Sequence, residues 1–170
     1  VTLRTPESIL RQIISVYEDN YATCLATVES NWELIDPINL DDFITREITT
    51  DPTALDKQWL LPAMSVAIGP IRETVTEGWQ QDKTSYDMQT MVTYYLQHND
   101  VTILAKIIAR HIEATLDLFR QYPAFGWRGA TNKIVPGSVQ FIPSQTSTRG
   151  NAYVKGLMVQ FDYRFLNYAA

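Results

Sequence analysis

The sequence predicts an α+β fold: a mostly antiparallel four-stranded sheet with two main helices packed on one face, in the order α-β-β-α-β-β. Three observations predict it. Apolar residues recur at spacings of three and four over residues 6–29 and again over 100–121, the period of an amphipathic helix. They recur at a spacing of two over 88–97 and 153–166, the period of a strand. Strand patterns come in pairs, each pair following a helix, and consecutive strands of that kind pair most economically as hairpins of one antiparallel sheet.

Thr5-Pro6-Glu7 reads as a helix start, an N-cap followed by Pro in the first turn. Ile9, Leu10, Ile13, Ile14, Tyr17, Tyr21, Cys24, Leu25 and Val28 then form the stripe of the first helix. Cys24 lies on that stripe and reads as a small buried hydrophobe. Beyond it the pattern weakens. From 30 to about 60 the chain is acidic, punctuated by Pro37, Pro52 and Pro62, with one helical turn expected near 53–60. A packed irregular excursion of this length often carries an interface.

PAMSVAIG (62–69) reads as a strand, and 71–85 as its extension plus a polar loop. Met88–Gln97 alternates and reads as a strand of about ten residues. Asn99-Asp100 caps the second helix, whose stripe is Ile103, Leu104, Ile107, Ile108, His111, Ile112, Thr115, Leu116 and Phe119, and Pro123 ends it. His111, inside the stripe, reads as a satisfied core or boundary histidine. A strand through Ile134, Val135, Val139, Phe141 and Ile142 is broken by Pro136-Gly137, and 143–151 reads as a long polar hairpin tip. In the closing strand Leu157, Val159, Phe161, Tyr163 and Phe165 should share a buried face. Gly156, Met158, Gln160, Asp162 and Arg164 should face solvent.

At 170 residues the chain is expected to be a single domain, with 45% hydrophobic residues sufficient for a core. One cysteine excludes an intramolecular disulfide, and two histidines leave no Cys/His zinc site. No apolar run reaches membrane-spanning length and no glycosylation sequon occurs, and a signal peptide is not expected. The chain opens at Val1, which leaves room for an initiator Met or a longer N-terminus. The net charge of −5 argues against a nucleic-acid coat.

That charge is unevenly spread. Residues 1–85 hold 14 of the 19 acids and 6 of the 14 bases, and residues 86–170 hold 5 acids and 8 bases. Unlike patches on one subunit can meet head to tail between copies and close a ring. The candidate subunit or axial interface residues are Asp36, Asp41, Asp42 and Glu47 on the acidic side, and Arg128, Lys133 and Arg149 on the basic side.

No glycine-rich phosphate loop, nucleophile elbow or H-E-x-x-H is present, so no catalytic, cofactor-binding or metal-binding residue is assigned and the chain is expected not to be an enzyme. In element order it resembles the tail-terminator (tail-completion) proteins of long-tailed bacteriophages. The resemblance rests on the helix 6–29, the strands PAMSVAIG and MQTMVTYYL, and the helix 100–121. It is completed by the hairpin with a polar tip and the closing YVKGLMVQFDYRF. It covers most of the chain except the excursion 30–60, which is longer than in compact members. The resemblance implies a virion structural protein, assembled in the host cytoplasm. Such a protein forms a ring, commonly of six, that caps the tail tube and joins it to the head side. Tail-tube and neck proteins would be its partners, with DNA passing through the lumen unbound and no membrane involved. The alternatives are another neck, head-closure or tube-end baseplate protein, or a small soluble enzyme.

Overall fold

The computed structural model describes residues 5–49, 60–74, 83–126 and 132–168. Thr5 starts the first helix through a capping box. Its hydroxyl accepts from the Ser8 N–H at 3.2 Å, and the Ser8 hydroxyl accepts from the Thr5 N–H at 2.9 Å. With Pro6 just inside, α1 runs Pro6–Trp32, past the expected end at residue 29. The second helix, α2 (Val101–Gln121), is capped by Asp100, whose carboxylate accepts from the Thr102 and Ile103 N–H groups at 2.7 and 3.1 Å. Those two bonds, made to the charged form, hold the Asp100 carboxyl below its usual range.

The sheet has seven strands among the described residues: β1 (Thr45–Ile48), β2 (Ala63–Thr74), β3 (Lys83–His98), β4 (Lys133–Ile134), β5 (Gln140–Pro143), β6 (Ser147–Arg149) and β7 (Ala152–Tyr168). Its order is β1-β2-β3-β7-β4, with β5 and β6 also on β7. The centre is the antiparallel β3–β7 pair, in register from Lys83↔Tyr168 to His98↔Tyr153. β2 flanks it antiparallel, and β1 adds to β2 in parallel.

The α+β class holds, but the four-stranded sheet and the order α-β-β-α-β-β are corrected in detail. Thr45–Ile48, inside the supposed irregular excursion, is an extra edge strand. The strand expected through 134–142 is two strands. Pro136 and Gly137 turn the chain between them, with Gly137 at φ 77°. The expected loop tip contains β6, which pairs with β7 through a turn at Gly150. So β4, β5 and β6 follow one another along the same side of β7 as a single broken edge. The strand at 88–97 is longer than expected, Lys83–His98, and β2 extends to Thr74. The helical turn expected near 53–60 and most of the loop after Thr74 lie outside the described residues.

One hydrophobic cluster joins both helices to one face of the sheet, through Met64 and Val66 of β2, Met88, Val92, Tyr94 and Leu96 of β3, and Leu157, Val159, Phe161, Tyr163 and Phe165 of β7. The five β7 side chains form the expected apolar face and all are buried. The helical stripe is corrected at Leu116, which is 43% exposed. The buried positions of α2 (Leu104, Ile107, Ile108, Arg110, His111, Ala114, Thr115, Leu118, Phe119) set its facing direction, and Leu116 points about 100° away from Thr115.

The other face of β7 is also not open to solvent as expected. Gly156 is buried, and Met158, Gln160, Asp162 and Arg164 are half-buried. Arg164 forms a two-pronged bridge across the sheet to Asp87 at 2.7 and 2.8 Å, and a small cluster of Leu61, Ala63, Tyr95 and Val154 covers one end. At Gly156 the Ser144 hydroxyl accepts the backbone N–H at 2.8 Å. A Cβ at residue 156 would sit 3.0 Å from that oxygen, so a glycine lets β5 continue along β7 at this point.

Phe161 lies against Phe119 and Phe125, with ring centroids at 5.1 and 5.8 Å. Phe161→Ala should destabilise the fold by about 3–5 kcal/mol, whereas Gln160→Ala should leave it within about 0.5–1 kcal/mol of the parent. Equilibrium urea unfolding of the two variants checks the assignment of faces. Equal losses would overturn it.

Candidate functional site

Three tyrosines sit in the core where α1, α2 and β3 meet. Tyr17, Tyr21 and Tyr94 are each fully buried, so their hydroxyls need partners inside the protein. The proton order follows from one end. Thr115 donates to the His111 carbonyl at 2.7 Å and so accepts from Tyr94 at 2.6 Å. Tyr94 in turn accepts from Tyr17 at 2.7 Å. Burial raises all three phenol pKa values, those of Tyr17 and Tyr21 well above the ordinary range.

His111 closes this network. Its Nδ1 lies 2.9 Å from the Tyr21 hydroxyl, which is also 3.3 Å from the His111 carbonyl. If Nδ1 carries the proton it donates to Tyr21, and Tyr21 donates to the carbonyl. Every donor is then used, and only Nε2, an acceptor, lacks a partner. The expectation of a core histidine is met in position, with one of its two nitrogens satisfied. Burial lowers its pKa to about 4. Cys24 is buried as expected, and burial together with Asp117 pushes its thiol up to about 11.

Phe43 completes the cluster from the excursion. Its ring stacks on Tyr21 at 5.2 Å and lies 4.7 Å from Tyr94. The stretch before Phe43 is tied down by polar contacts to the helices. The Glu29 carboxylate accepts from the Leu40 N–H, and the Trp32 indole donates to Glu113 at 3.1 Å. The Asp36 carboxylate bridges Lys106 at 2.9 Å and Arg110 at 3.2 Å. The Arg110 guanidinium also donates to the Asp36 carbonyl at 2.6 Å and lies 4.9 Å from the centre of the Trp32 ring. The Lys106 hydrogen bond, with both cations nearby, holds the Asp36 carboxyl below its ordinary range.

The seven sequence candidates therefore separate. Asp36 is engaged within the chain by α2, and Asp42 by Arg46 at 2.8 Å. Asp41 and Glu47 are exposed beside and within β1. On the basic side Lys133 is exposed in β4 and Arg149 is half-buried in β6. Arg128 lies outside the described residues. Of the candidates on strands, Glu47 in β1 stands at one end of the strand order, and Lys133 in β4 and Arg149 in β6 at the other. From the sequence, Trp32 and Phe43 read only as apolar contacts of a packed excursion; the place of Phe43 in the tyrosine cluster and the Trp32–Arg110 contact were not assigned. The available signal was two large aromatics in a segment with no period of its own.

A cavity of about 430 Å³ opens between the excursion, the end of β3 and the start of α2. Pro37, Asn39, Asp41, His98, Ile107 and His111 are among its lining residues. A second cavity of about 250 Å³ lies on the polar sheet face between Arg72, Gln89, Gln140 and Gln160. Among the described residues no cluster of His, Cys, Asp or Glu could hold a metal ion, and no helix is long and apolar enough to cross a membrane. Large apolar side chains are exposed around the excursion: Leu34 at 97%, Ile35 at 74%, Leu60 at 67% and Ile44 at 61%.

No family model matches the sequence, and no curated protein does. Among solved structures, a chain of the native gene transfer agent virion particle is similar at 10% identity, over 71% of this chain and 78% of that chain, with a TM-score of 0.29. Likeness at that level carries no functional argument.

Two measurements probe this region. The unfolded chain binds the His111 proton near pH 6.5 and the folded chain only near 4. Between those values the unfolded state holds more protons, so stability is full above about pH 6.5 and falls as the pH is lowered toward 4, by about 3 kcal/mol from this residue. His111→Asn keeps a polar partner for Tyr21 and cannot titrate, so its unfolding free energy should fall less over the same window. Parallel pH dependence of the two proteins would refute the buried neutral state. Arg110→Ala should cost about 1–3 kcal/mol, read by thermal unfolding, since it leaves Asp36 held by Lys106 alone and uncovers Trp32.

Proposed function

We propose that this chain is a structural subunit of a phage-like virion. Within that class we place it as a tail terminator, forming a ring that caps the tail tube and joins it to the head side. The observation that carries the reading is the group of exposed apolar side chains at Leu34, Ile35, Ile44 and Leu60. Apolar exposure of this kind, grouped around one segment, marks a surface that another protein covers. The resemblance in element order supplies the kind of assembly, because the helix–hairpin–helix–hairpin core persists around the added β1. An acidic chain also suits a conduit, since it does not grip DNA phosphates as they pass. We read the chain as non-enzymatic and its partners as further copies of itself, the tail-tube protein and a neck protein.

A second reading, a small ligand-binding protein or enzyme, draws on the 430 Å³ cavity beside His111. The two readings differ in one measurement: the mass and negative-stain shape of the purified protein. A closed ring, commonly of six subunits, that caps isolated tail tubes supports the terminator role. A ring that closes DNA-filled heads and ignores tubes favours a head-closure protein. A monomer at all accessible concentrations rejects the proposal.

A further inference from the structure

We infer that the two ends of the sheet are the two halves of one head-to-tail contact, with the β1 edge of one copy docking on the broken β4–β5–β6 edge of the next. The inference rests on the proposed reading of the chain as a self-assembling subunit. It assigns that subunit's contact surfaces.

The first observation is topological. β1 ends the strand order on one side, and β4, β5 and β6 end it on the other. Among the described residues β1, β5 and β6 therefore present backbone groups on their outer sides with no further strand beyond, whereas the outward N–H of Ile134 in β4 already donates to the Pro123 carbonyl at 2.8 Å. The second observation is length. β1 has four residues and β5 has four, and turns or proline stop both sides of β5. A neighbour thus meets only a short run of backbone, which disfavours longer edge-to-edge aggregation.

The third observation is charge. The stretch 41–48 (DDFITREI) holds three acids and one base, and Arg46 is paired with Asp42. The stretch 132–149 holds Lys133 and Arg149 and no acid. Contact of β1 with a second β1 would set acid against acid, and contact of two broken edges would set base against base. Only the unlike pairing is favourable, which makes the contact heterologous and repeatable. The fourth observation is apolar exposure at both edges: Ile44 and Ile48 on one, Ile142 on the other. Side chains of this size need cover once two edges meet.

The test uses two double variants at exposed positions. Asp41→Lys with Glu47→Lys makes the first edge basic. Lys133→Glu with Gln140→Glu makes the second edge acidic. Each variant should keep the parental melting temperature and circular dichroism spectrum. Each alone should need about tenfold higher concentration to assemble, the scale set by a few exposed charge pairs. Mixed one to one, they should assemble like the parent, because each edge then meets its opposite in the other variant. Sedimentation velocity at low and high salt reads all of this, and the difference between variants should shrink in high salt. Parental assembly by either variant alone, or failure of the mixture to recover, overturns the edge assignment while leaving a ring-forming parent, and so the proposed role, intact. A parent that stays monomeric overturns both.

Discussion

Burial of three tyrosine hydroxyls at one point fixes the layout of this protein. Each needs a hydrogen-bond partner, and the partners come from different elements: Tyr17 from α1, Tyr94 from β3, and Thr115 and His111 from α2. A shift of one helix along the sheet by a single turn would separate the chain of hydroxyls and leave several orphaned. In an apolar core an orphan costs about 1–3 kcal/mol, which is a large share of a domain's stability. Apolar packing alone tolerates sliding. This polar seam does not, and it sets which face of each helix meets the sheet.

Phe43 extends the same seam into the irregular segment that precedes β1. Its ring lies among Tyr17, Tyr21, Tyr94 and His111, so the excursion is anchored in the core and leads directly into β1. Asp36 with Lys106 and Arg110 does the corresponding work at the surface. The acidic segment is therefore divided in function. Part of its charge holds the segment to α2, and part stands at the sheet edge.

Much of this was legible in residue order. The helix starts at Thr5 and Asp100 were readable because a side-chain oxygen satisfying free N–H groups is a local requirement. The apolar face of β7 was readable because period two was unbroken from Leu157 to Phe165. β1 was not readable, because four residues carry too little pattern and its partner β2 is supplied by tertiary structure. β6 was hidden for a related reason. Ser147, Thr148 and Arg149 are too polar to signal a strand, and only their pairing with β7 makes them one. The charge asymmetry was visible as composition, but which acids stay at the surface was decided by contacts no one-dimensional pattern contains. Asp36 and Asp41 look alike in sequence and differ entirely in partners.

The place of β7 has a consequence for how the chain acquires its fold. It follows every other element in sequence, yet it lies between β3 and the broken edge and pairs with four strands. During synthesis the two helices and the β2–β3 hairpin emerge from the ribosome first, with one long side of β3 unsatisfied and the apolar face it shares with β7 incomplete. Nearly all the non-local pairing waits for residues 152–168. A nascent chain of this order is exposed to wrong partners for most of its translation, and its folding is governed by late, long-range closure more than by its early helices.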